Sequence, residues 1–97
     1  MSMFGKEWDE GCVIARFRCE TSGPEGWWEV EMKSVKDGEG KCCTVVHDPF
    51  ANRLMWFDDD KKQPSFEAKM AFLILVQLAL CDADVVRRVH ADDRNNH

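Results

Sequence analysis

Met70-Ala71-Phe72-Leu73-Ile74-Leu75-Val76-Gln77-Leu78-Ala79-Leu80-Cys81 is the stretch whose reading decides the fold. Gln77 is its single polar residue, so it is too apolar for an ordinary surface helix. It is also shorter than the roughly 20 residues a membrane span requires. A helix laid across a sheet satisfies both constraints. Phe66, Met70, Leu73, Ile74, Gln77, Leu78 and Cys81 follow helical spacing and are expected to form the buried side. Phe72, Leu75, Val76, Ala79 and Leu80 occupy the other side, which one sheet cannot also cover. The cover is expected from the N-terminal segment with Met3, Phe4 and Trp8, from a folded-back second helix, or from a partner chain.

Working upstream, Ser65 is a good N-cap, because its hydroxyl can accept a free backbone N–H, and Glu67 suits the positive end of the helix dipole. Downstream, Asp82-Ala83-Asp84 offers a fresh cap before Val85-Val86-Arg87-Arg88-Val89-His90, which predicts a second short helix or a helical extension. Residues 92–97 are polar and predicted to fray.

Four strand-like segments precede the helix. Cys12 to Glu20 alternates, with Val13, Ala15, Phe17 and Cys19 on one face and Ile14, Arg16, Arg18 and Glu20 on the other. Trp27 to Lys36 puts Trp28, Val30 and Met32 on its core face. The turn between them contains Gly23-Pro24, and Asp37-Gly38 marks the next hairpin. Lys41 to His47 is β-branched but ambiguous in facing, and Arg53 to Phe57 sets Leu54 and Trp56 against Met55 and Phe57.

The pattern predicts an α+β two-layer sandwich: a four-stranded antiparallel meander packed by one long C-terminal apolar helix, with a second short helix or helical extension. One domain spans residues 1–97, divided into an N-terminal segment (1–10), the sheet (11–57), a helical part (65–91) and a frayed tail (92–97). The expected core is Val13, Phe17, Trp28, Val30, Met32, Val45, Leu54, Met70, Leu73, Ile74 and Leu78.

Composition bounds the function. A hydrophobic content of 44%, with six Phe and four Trp, supports a folded core. The formal charge of -5 disfavours phosphate backbones and favours basic protein surfaces. Five cysteines lack the spacing of a disulfide scaffold, and Met1 to Glu10 shows no signal-peptide pattern, so a reduced, cytoplasmic setting is expected, away from the membrane.

Catalytic and metal chemistry find little support. Cys42, Cys43 and His47, joined by Cys12 or Cys19, are the only plausible zinc set, yet adjacent cysteines in a strand point to opposite faces. Cys43 with His47, or Cys81 with His90, carries no nucleophile signature, and Asp48-Pro49 reads first as a turn starter. No cofactor is expected. Arg16, Arg18, Trp27 and Lys33 share a face and would serve a single-stranded nucleic acid, but Glu20, Glu29 and Glu31 lie among them.

The remaining signal is acidic and aromatic. Asp58, Asp59 and Asp60 run together, Asp9, Glu10, Asp82, Asp84, Asp92 and Asp93 add further acid, and Trp8, Trp27 and Trp56 exceed what a small core can bury. Aromatic anchors beside acids fit a protein partner. The sequence therefore predicts a small acidic, non-enzymatic binding protein that occludes a larger protein or complex with a basic surface. A homodimer through the apolar helix is a further expectation. In size and charge alone the chain is similar to inhibitors carried by phages or mobile elements, such as anti-CRISPR proteins, and to immunity proteins.

Overall fold

In the computed structural model, which describes residues 4–20 and 26–95 and the side chains of these as far as Cys81, the chain forms six elements. They are α1 (Lys6–Asp9), β1 (Cys12–Glu20), β2 (Trp27–Lys36), β3 (Cys42–Asp48), β4 (Arg53–Asp58) and α2 (Phe66–Asn95). The strands pair antiparallel in the order β1-β2-β3-β4, and α2 packs across one face, giving the α+β meander that the sequence predicts.

Each turn has a local cause. Asp37 Oδ1 accepts from the backbone N–H groups of Glu39 and Lys41, and Gly40, at φ 82°, takes the left-handed conformation that closes the loop. Asp48 does the same for the next turn, accepting from the N–H groups of Phe50 and Ala51. At the start of α2 the Ser65 hydroxyl accepts from the Ala68 N–H at 3.3 Å, so the cap lies where the sequence places it.

The register sorts the sheet into two faces. Val30, Met32 and Val46 are buried against Ala68 and Leu75 of α2, with Ala15, Met55, Phe57, Phe72 and Val76 around them. Cys19 and Ala79 extend this layer beneath Phe17 and Trp28. On the opposite face Val35 and Val45 are buried under Trp8, flanked by Phe4 and Leu54. The N-terminal segment thus covers the sheet face away from α2 and not the second side of the helix.

Three expectations are corrected here. Met70, Leu73, Ile74 and Leu78 are 40%, 52%, 51% and 50% exposed, and the side of α2 that meets the sheet is the one carrying Ala68, Phe72, Leu75, Val76 and Ala79. The small residues explain this, since Ala68 and Ala79, both fully buried, let the helix axis come close to the sheet. Val13 is also exposed, because the register shifts between Val13 and Ala15: Val13 opposes Lys33 while Ala15 opposes Met32, which turns Val13 to the other face. Finally, α2 runs unbroken to Asn95, so the helical-extension alternative holds and residues 92–95 are helical where fraying is predicted.

Candidate functional site

The outer sheet face, away from α2, holds most of the residues singled out from sequence. Arg16, Arg18, Trp27 and Lys33 do lie together on it, but none of the three cations is free. Arg16 Nε meets a carboxylate oxygen of Glu31 and lies 3.1 Å from one of Glu29, and Arg18 reaches Glu29 at 3.1 Å. The Glu31 hydrogen bond, aided by the charges of Glu31 and Glu29, holds the Arg16 guanidinium above its already high value. Lys33 Nζ donates to the Trp8 carbonyl oxygen at 3.0 Å, lies over the Trp8 ring and sits 3.7 Å from Glu31. The face is a cross-strand ladder with charges matched internally.

The three tryptophans part company. Trp8 is buried, contrary to its expected role as an exposed anchor, because α1 turns it onto Val35 and Val45. Trp27 is 45% exposed, but the Arg18 guanidinium lies 4.3 Å from its ring centroid and covers one side. Trp56 is 48% exposed on the edge strand β4. Trp27 and Trp56 stand roughly 20 Å apart, six residues along and two strands across, so they form two corners and not one patch.

The aspartates divide as well. Asp58 shares the outer face with Trp56, two residues along β4, and its side chain is 80% exposed. Its partner Lys41, at 3.3 Å, is itself largely exposed, and the Asp58 hydrogen bond and charge raise the Lys41 ammonium above its ordinary value. Asp59 points inward and accepts from the fully buried Thr44 hydroxyl, so it is structural. Asp60 is exposed and pairs with Gln63 through its backbone alone in this turn. The acidic side chains expected at 82, 84, 92 and 93 lie outside the described residues.

The candidate catalytic and metal residues do not converge. Cys43 and His47 share a face but are four positions apart on β3, about 13 Å along the strand. Burial pushes the Cys43 thiol above its usual range, with nearby Asp37 and Asp58 adding to the effect. His47 packs between Phe4 and Trp8 with Nε2 buried and no hydrogen-bond partner among the described residues. The Asp48 carboxylate is committed to its turn and to Arg53, 3.4 Å away, and does not orient the imidazole. Among the described residues no three His, Cys, Asp or Glu side chains are grouped to hold a metal ion. His90, the other candidate partner of Cys81, has its side chain outside them.

No protein-family model, curated protein or solved structure matches this chain. What the site can do is therefore read from its own geometry. An open cleft of about 650 Å³ between α1 and the β2–β3 hairpin has charged walls of Lys6, Glu7, Glu10, Lys36 and Asp37 around Val35 and Cys42. None of the described helical segments is long and apolar enough to cross a membrane. Sequence reasoning finds both apolar sides of α2 but assigns them the wrong way round, although Gln77 distinguishes them: a polar residue marks the outward side, whereas the side through Ala68, Phe72, Leu75, Val76 and Ala79 has none.

Proposed function

We propose that this chain is a small, non-enzymatic, acidic binding protein that occludes a surface of a larger protein, docking through the corner built by Trp56 and Asp58 on the outer face, with exposed Asp60 in the turn beyond. The observation that carries this reading is the pairing, on one free edge strand, of a half-exposed indole with an exposed carboxylate two residues along the same face. A tryptophan at a rim of this kind supplies apolar area with one polar handle, as interface anchors do. The adjacent acids select a basic partner surface, and the exposed Lys41 contact is weak enough to be exchanged for a partner's cation. The size and the net charge of -5 suit an inhibitor of the phage or mobile-element kind, such as an anti-CRISPR, or an immunity protein. A cytoplasmic, reduced setting goes with this proposal.

The test begins with capture of the partner from the native host using the whole chain. Replacing Asp58 and Asp60 by Asn is expected to weaken the complex and flatten its salt dependence, and Trp56→Ala to weaken it by about tenfold or more. An affinity indifferent to salt and to these changes would sink the reading. Tight binding of a single-stranded oligonucleotide at low salt would instead favour the ladder of Arg16, Arg18 and Lys33 with Trp27.

A further inference from the structure

Only one of the two apolar sides of α2 is used within the described chain. Phe66, Met70, Leu73, Ile74, Leu78 and Leu80 stand between 40% and 72% exposed along its outward side. Positions 66, 70, 73, 77 and 80 alternate steps of four and three, the seam by which two helices pack, and Ile74, Leu78 and Cys81 widen it. The intramolecular covers foreseen from sequence are both spent: α1 lies on the far face of the sheet, and α2 continues to Asn95 without folding back.

We infer that a second copy of this chain covers the stripe, α2 against α2 about a twofold axis passing between Leu73 and Ile74, the middle of the stripe. Charge argues for a copy over a foreign chain. The chain carries 18 acidic and 13 basic residues, yet none falls at 66, 70, 73, 74, 77, 78, 80 or 81. The stripe therefore meets its own image without like-charge contact and offers nothing to select an oppositely charged partner. The six half-exposed side chains present about 500 Å² per copy, so a pair removes at most about 1,000 Å², the low end for a specific interface, in keeping with a micromolar pair. The Trp56 corner lies on the opposite sheet face, so the dimer leaves it open twice and the inference stands independently of the proposed function.

Sedimentation equilibrium on the whole chain, from about 1 to about 200 µM, reads the outcome directly. The mass is expected to rise from the 11.2 kDa monomer to twice that value, with half-association in the micromolar range. Added salt is expected to tighten the pair, since it screens repulsion between two chains of charge -5, whereas it weakens the acidic complex proposed above. Leu73→Lys and Ile74→Glu should each weaken association about tenfold or more while leaving the circular dichroism unchanged. The Cys81 thiol should label more slowly as wild-type concentration rises and lose that protection in Leu73→Lys. A monomer mass throughout the range, or a dimer indifferent to both substitutions, overturns the inference.

Discussion

Gly11 joins α1 to β1 where no side chain fits: a Cβ there would lie 2.8 Å from Val35 Cγ2 and 3.0 Å from the Ser34 carbonyl oxygen. Gly11→Ala is therefore expected to cost about 1–3 kcal/mol, read from the denaturant midpoint, with a change in Trp8 fluorescence as α1 is pushed off the sheet. Val30, fully buried beneath α2, sets the scale on the other face, and its replacement by Ala should cost about 2 kcal/mol. The cysteines give a third residue-level outcome. Cys12, Cys42 and Cys81 are exposed and should react promptly with a thiol reagent near pH 8, whereas Cys19 and Cys43 should react only after unfolding. Burial raises the Cys43 value, so at a given pH less thiolate forms there. Immediate labelling of all five native thiols would contradict the packing.

At the scale of elements, the facing of α2 is the claim most open to test. Leu75 is 6% exposed and Leu73 52%, so Leu75→Lys should unfold the domain or cost more than about 3 kcal/mol, while Leu73→Lys in dilute solution should stay within about 0.5 kcal/mol of wild type. The reverse order would restore the facing predicted from sequence. That facing was illegible by bulk, since both sides of the helix are apolar and the larger residues lie on the outward one; the polarity of Gln77 and the small size of Ala68 and Ala79 were the usable signals. The strands were easier. Alternation and turn chemistry place β1 and β2 at Cys12–Glu20 and Trp27–Lys36, as found, because each begins after a Gly and runs into a turn sequence, Thr21-Ser22-Gly23-Pro24 or Asp37-Gly38. Val13 was lost to a bulge, which no alternation can reveal. The sequence offers Trp8 both as apolar cover and as an anchor, and a four-residue helix has too little periodicity to decide between them or to show which face it covers. Of the site, Trp56 and Asp58 were legible as exposed, while the inward turn of Asp59 depends on a contact with Thr44 that sequence spacing cannot show.

For the whole molecule, the extents of 60 × 31 × 17 Å describe an elongated body. A thirty-residue helix is about 45 Å long and accounts for most of the longest extent. The order β1-β2-β3-β4 has a kinetic side. Each hydrogen-bonded pair is closed by a connection of no more than six residues, so every ladder forms between neighbours in the chain. Loop closure over such spans costs little entropy, and a meander of this kind has low contact order for a sheet. The sheet should zip from its hairpins within milliseconds of refolding, leaving the docking of α2 to complete the core. Stopped-flow tryptophan fluorescence would then show Val45→Ala slowing refolding, whereas Ala79→Gly, at the far end of the docked helix, would chiefly hasten unfolding.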